Sequence, residues 1–213
     1  MNRALAPSLP NVGDLEHSIL YSEELGIALK VNTDKEVFKW FLASKLLGAH
    51  ISERIAIQAY RSFVTYRLLT PQRIVNAGWD YLVNPVLREG GYVRYDESTA
   101  TKLLKICQNL IVEYDGSLKK LHDIAADSND LELRLLNFYG IGPVTVNIFL
   151  RELRPFWEKS NPEPLPLVWQ LAELLGIDRM RLDRKSETYA RVEAGLIRHK
   201  KLILQHGRTT QPR

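Results

Sequence analysis

Cysteine is the scarcest functional residue in this sequence: Cys107 stands alone among 213 residues. One thiol excludes an internal disulfide, a zinc finger of the usual type and a four-cysteine iron–sulfur cluster. Placed within LLKICQNLI, it reads as a small buried apolar side chain and not as a nucleophile. His17, His122, His199 and His206 show no metal-ligand spacing. Long apolar runs are also missing, so nothing has the roughly 20 residues a membrane-spanning helix needs. The first residues, MNRALAPSLPNVGD, lack the apolar core of a signal peptide, which leads us to expect a cytoplasmic location. Sustained period-two alternation, internal repeats and low-complexity tracts are absent too. The chain therefore reads as all-α.

What remains is ordinary for a globular chain, with 45% hydrophobic and 25% charged residues. The length suits one large domain or two small lobes. A net charge of +4 and a pI near 9.1 lean mildly towards a polyanionic partner. The distribution says more. Residues 151–213 hold 13 Lys and Arg against 8 Asp and Glu, while residues 1–150 sum to about −1.

The helical reading follows caps and breakers. Residues 1–13 form a proline-punctuated arm, and Asp14 to Leu29 reads as one amphipathic helix ending near Gly26. Thr33 with Glu36 makes a capping-box pattern, opening a mostly apolar helix that runs to Leu47. Gly48-Ala49-His50-Ile51 breaks it, and Ser52 starts another that reaches about Arg67. Thr70-Pro71 opens a helix ending at Gly78, followed by a stretch to Leu87 bent at Pro85. Asp96 to Tyr114 and Ser117 to Ala125 follow. Arg154 to Pro166 is a proline-containing loop, Leu167 to Leu175 is helical, and Arg181 to Leu204 is a last long helix before a disordered-looking tail.

The stretch NDLELRLLNFYGIGPVTVNIFL, Asn129 to Leu150, organises the rest. Asn129 or Asp130 is placed to cap a helix whose apolar side holds Leu131, Leu133, Leu135 and Leu136. Gly140 and Gly142 bracket Ile141 in a turn too tight for ordinary side chains. Pro143 suits the first position of a second helix, because its missing N–H costs nothing there. Val146, Ile148, Phe149 and Leu150 then point inward. Such a turn directs unpaired N–H groups outward at a helix start, which suits a phosphate oxygen. An ordinary αα-hairpin accounts for the same spacing equally well.

The hairpin FYGIGPVTVNIFL resembles that of the helix-hairpin-helix DNA glycosylases, the superfamily that includes endonuclease III and the alkyladenine and oxoguanine glycosylases. Upstream, Leu46-Leu47-Gly48-Ala49-His50-Ile51-Ser52-Glu53 is similar to that superfamily's Leu-Leu-Ser-Ala-Gln-Ala-Thr-Asp turn. Gly90-Gly91-Tyr92 before a helix is similar to a third segment, in the same order. The resemblance covers roughly residues 33–176. It implies two helical lobes: residues 33–153 form the central one, and residues 1–32 plus 154–213 form the other. It implies double-stranded DNA, damaged or distorted, held by backbone amides of Gly140, Ile141, Gly142, Val144 and Thr145, with a nucleotide flipped out. It also implies a monovalent cation on the hairpin carbonyls; we expect a monomer associated with the nucleoid, and the single cysteine leaves no iron–sulfur cluster.

Two positions depart from the pattern. Lyase-type members carry a nucleophilic lysine where this chain has Val144, and valine forms no Schiff base, so lysine-dependent abasic-site cleavage is not expected. The usual aspartate near the next helix start, which activates the nucleophile, is replaced by Leu165. Glu163, two residues earlier, is the candidate catalytic carboxylate, with a plain surface carboxylate as the commoner alternative. His50 stands where a glutamine helps fill the space left by a flipped base, or is simply a turn residue. Tyr92 is a candidate stacking ring, or a core tyrosine. Arg94, Arg151 and Arg154 are candidate phosphate contacts, with a solvated helix face as the alternative. Trp157 is the one tryptophan of four worth testing on DNA. The leading expectation is a DNA-binding protein of base-excision-repair type, a monofunctional N-glycosylase (a hydrolase) if active. A non-catalytic module for bent or damaged DNA comes second, and a helical protein–protein adaptor third.

Overall fold

A computed structural model of the protein describes residues 8–178 and 182–210. The described residues are helical with no strand, as the absent period-two pattern requires. They divide into two compact units, one of Ser22–Pro162 and one joining the stretch that ends at Tyr21 to Glu163 onward. The divisions expected at 33 and 154 fall instead at 22 and 163. The cause is a set of pins. Ser22 N–H donates to Glu152 at 3.1 Å, Ala28 N–H to Glu36 at 2.9 Å, and Trp157 Nε1 to Asn32 at 3.1 Å.

The smaller unit holds α1 (Val12–Glu16), α10 (Pro166–Leu174), α11 (Glu187–Arg198) and α12 (Lys200–Thr210). Leu15, Val168, Leu171, Ala172, Val192, Leu196 and Ile203 form its core. The single long helix expected from Arg181 to Leu204 is two helices divided at His199, and Arg181 itself lies outside the described residues. Backbone helix also continues past Gly207 to Thr210, where a tail was expected. The N-terminal helix expected over 14–29 is likewise divided into α1, α2 (Tyr21–Glu24) and a 3₁₀ turn at Leu29–Val31. Leu15, Leu20, Tyr21, Ile27 and Leu29 are all buried, and no single helical face carries that spacing.

The larger unit is built around α3 (Asp34–Leu47), whose Trp40 is wholly buried. Thr33 caps it by accepting from Glu36 N–H, but Glu36 turns its carboxylate to Ala28, so only half the capping box forms. Around it lie α4 (Glu53–Thr65), α5 (Pro71–Tyr81), α6 (Asp96–Tyr114), α7 (Leu118–Ile124), α8 (Ser128–Leu136) and α9 (Pro143–Arg151). Ser52, Thr70 and Ser117 cap as the sequence predicts. Helix α5 bends at Gly78 (φ 77°) and runs to Tyr81, and a wide-turned stretch with a cis Asn84–Pro85 bond follows. Asp127, not Asn129 or Asp130, caps α8. Cys107 is buried, and desolvation pushes its thiol far up, so it is the inert apolar residue expected.

Helix α9 is buried from Thr145 through Arg151. Phe149 packs edge-on to Phe41 (5.2 Å) and Trp157 (5.6 Å), and Trp40 Nε1 donates to the Phe149 carbonyl at 2.9 Å. Burying Val146, Ile148, Phe149 and Leu150 stabilises this element by roughly 1.5–3 kcal/mol apiece. At its start the backbones close up. A Cβ on Gly48, just past α3, would sit 2.3 Å from Thr145 Oγ1 and 3.0 Å from Thr145 Cα. Gly48→Ala should therefore destabilise the protein by about 1–3 kcal/mol in urea unfolding, with partial rescue when Thr145→Ala is added. Additive losses in the double variant would contradict this contact.

Candidate nucleic-acid interface

The hairpin forms where expected, but its two glycines do different work. Gly140 has φ 77°, and a Cβ there would meet the Lys102 stem at 2.7–3.0 Å, so it is fixed by its own neighbourhood. Gly142, the N-cap of α9, has φ −117°, and a Cβ added to it would meet no atom within 4 Å. No contact among the described residues demands glycine at 142. Pro143 takes the first helical position. The N–H groups of Gly142, Val144 and Thr145 find no acceptor among the described residues, leaving them at the positive end of a nine-residue helix. Ile141 must be corrected. Its N–H donates to the Phe138 carbonyl at 3.0 Å and its side chain is buried, so it closes the turn and offers nothing outward.

Beside the hairpin lies a pocket of about 400 Å³ within the larger unit. Three separated segments build it. The end of α3 contributes Lys45 and the turn Gly48–His50, the hairpin contributes Gly140 and Gly142 to Thr145, and the third segment runs from Tyr92 to Lys102. Gly90 sets that third segment, since a Cβ there would lie 2.6 Å from Ala59 Cα in α4. The three motifs singled out in the sequence therefore meet at one place.

Individual side chains divide sharply. His50 is exposed and lines the pocket, and Val144 is 46% exposed on the same wall. Arg94 is exposed with its guanidinium 5.4 Å from the Tyr95 ring centre, free to reach a phosphate. Tyr92 is corrected to a core residue. It is 2% exposed, and burial pushes its phenol up against the opposing effect of a Thr99 hydrogen bond. Tyr95, 39% exposed in the same pocket, is the ring with a face to offer. Arg151 and Arg154 are corrected as well, each only 2% exposed. Arg154 donates to the Pro162 carbonyl at 2.6 Å, and Arg151 lies 4.0 Å from the Glu152 carboxylate. Buried cations held this way brace the chain after α9 and do not touch a phosphate. Trp157 is a core ring stacked 4.6 Å from His122.

Glu163 belongs to the smaller unit, where its exposed carboxylate pairs with Arg184. Leu165 is the N-cap residue of α10 and supplies no side-chain cap. No group of three or more His, Cys, Asp or Glu residues able to hold a metal occurs among the described residues, and no described helix is long and apolar enough to cross a membrane.

Lys45 escapes a reading of the sequence. Within FLASKLLG it looks like the polar break in an apolar helix, yet the residue is 6% exposed. No hydrogen bond or ion pair reaches it among the described residues, and no carboxylate lines its pocket. Burial and then Lys102 push its amine down from 10.5 to about 8. Below pH 8 the lysine is charged in both folded and unfolded chains, and the fold bears the full desolvation penalty. From about pH 8 to 10.5 only the unfolded chain keeps the proton, so stability rises with pH. Lys45→Met should stabilise the protein by about 1–3 kcal/mol at pH 7 in urea unfolding, with the gain fading by pH 10.5. A gain independent of pH would contradict the buried amine.

Comparison with known proteins returns no matching family model, no matching curated protein and no matching solved structure.

Proposed function

We propose that this chain is a DNA-binding protein of base-excision-repair type that grips the backbone of damaged or distorted duplex DNA through the start of α9. One observation carries the reading. Three N–H groups with no acceptor among the described residues, those of Gly142, Val144 and Thr145, sit at a glycine whose missing side chain leaves open space that no described residue requires. An incoming phosphate accounts for both. His50, Val144 and Tyr95 line the same pocket, Arg94 lies over the Tyr95 ring, and the hairpin carbonyls are where a monovalent cation would help orient the turn.

A monofunctional N-glycosylase step needs a group to activate water, and Glu163 is the carboxylate nearest in sequence to the position Leu165 occupies. The pairing of Glu163 with Arg184 and the leucine at the α10 N-cap favour the second reading, binding without base release. Release of uracil, alkylated, oxidised or mismatched bases, lost in Glu163→Gln, would establish the enzyme. Tight binding with no release would establish the module.

The binding reading has its own test. Gly142→Ala and Gly142→Asp should leave the melting temperature nearly unchanged, because the space is open. Gly142→Asp should weaken duplex affinity at least tenfold at low salt, since it puts a like charge where the phosphate sits. Wild-type affinity should fall steeply and linearly on a log–log salt plot. Unchanged affinity in Gly142→Asp would overturn the proposed function.

A further inference from the structure

A pocket of about 470 Å³ lies at the C-terminal end of α4, in the same unit as the hairpin but sharing no lining residue with the hairpin's pocket. Helix α4 begins just past His50 and runs for 13 residues, so roughly 20 Å of helix separates the two places. Buried Leu68 lies in the pocket wall, with Tyr66, Arg67, Arg73, Asn76 and Tyr81 around it. No carboxylate lines it. The Tyr66 phenol donates to Glu89 at 2.5 Å, so that carboxylate is already engaged.

What the pocket offers is donors and rings. Gln72 donates to Asn76 Oδ1 at 2.7 Å, which leaves Asn76 its amide N–H groups to give. Arg73 Nη1 donates to the Arg67 carbonyl at 3.1 Å, tying the two arginines together. The other N–H groups of Arg73 and the whole Arg67 guanidinium have no partner among the described residues. The Tyr66 and Tyr81 rings meet edge to face with centroids 5.6 Å apart, and Tyr81 is 42% exposed.

The backbone at Arg67 singles it out. Helix α4 ends with Leu68 N–H donating to the Phe63 carbonyl at 2.9 Å and Arg67 N–H to the Val64 carbonyl at 3.0 Å, with Arg67 at φ 57°. Glycine usually takes that position, because a Cβ is strained there. The other described non-glycine residues with positive φ are Asn32 and Asp115, whose short polar side chains tolerate it. Arg67 bears the strain without that compensation, and its side chain puts a strong cation on the pocket.

We propose that this pocket binds a free nucleoside monophosphate, with its phosphate on Arg67 and Arg73 and its base against the exposed Tyr81 ring. Two guanidinium groups with spare N–H donors match a phosphate dianion. An exposed tyrosine ring matches a base, and the Asn76 amide donates to a base or sugar oxygen. A pocket of this volume has room for one nucleotide. The site is independent of the start of α9, because the two pockets share no residue.

Isothermal titration calorimetry of the full chain with adenosine, guanosine, cytidine and uridine 5′-monophosphates tests the proposal. At least one should bind saturably, at least tenfold more tightly than its nucleoside and than inorganic phosphate. Arg67→Gly should weaken that binding at least tenfold while the melting temperature holds or rises, because glycine accepts φ 57° without strain. Lost affinity with kept stability separates a ligand contact from a merely structural arginine. Tyr81→Leu should weaken nucleotide binding and leave inorganic phosphate binding unchanged. Duplex DNA affinity should stay at the wild-type value in Arg67→Gly, so this proposal and the DNA reading stand or fall separately. No saturable nucleotide binding, or binding that both substitutions leave unchanged, overturns the proposal. Phosphotyrosine or a 5′-phosphorylated tetranucleotide binding tenfold more tightly than every monophosphate also overturns it, and would assign the pocket to a phosphorylated peptide or a strand end.

Discussion

The seating of α9 against α3 is the constraint on which the rest depends. From Thr145 to Arg151 the helix is buried on every side, so only its first turn meets solvent. The Trp40 indole tied to the Phe149 carbonyl and the near-contact of Gly48 with Thr145 hold that turn at one height relative to the end of α3. A helix packed all round cannot rotate or slide to satisfy its terminal N–H groups from within the protein. Those groups stay aimed outward, and the pocket beside them keeps its shape.

Charge in this molecule is used in two ways that composition alone does not separate. Arg151 and Arg154 contribute to the basic C-terminal balance, yet they are internal braces for residues 152–162. The positive charge beside the hairpin comes from elsewhere, from Lys102 and the helix N-terminus. Lys45 belongs to neither group. It is a cation that destabilises the fold holding it, opposite in sign of effect to a brace.

How much was legible follows from the type of signal. Thr33, Ser52, Thr70 and Ser117 cap through hydroxyls that accept from an N–H three residues on, and Pro143 acts through its own ring, so these signals are local and the sequence places those helix starts correctly. The hairpin and the two upstream segments also line one pocket, a meeting that their order in the sequence does not by itself show. Arg151, Arg154 and Trp157 fall in the interior and not on a DNA-facing surface because local periodicity does not show that α9 and its following loop are covered on all sides. Tyr92 and Tyr95 lie three apart, and only packing around Gly90 decides which ring turns inward. Lys45 is invisible for a related reason: its burial is set by three segments distant in sequence.

Backbone amide chemical shifts followed during titration with duplex DNA containing a stable abasic analogue test the central claim most directly. The account predicts that the amides of Gly142, Val144 and Thr145 move first and furthest, with His50 and Arg94 following, while Arg151, Arg154 and Trp157 stay still. Saturable shifts confined to other surfaces, with the amides at the start of α9 unmoved, would contradict it.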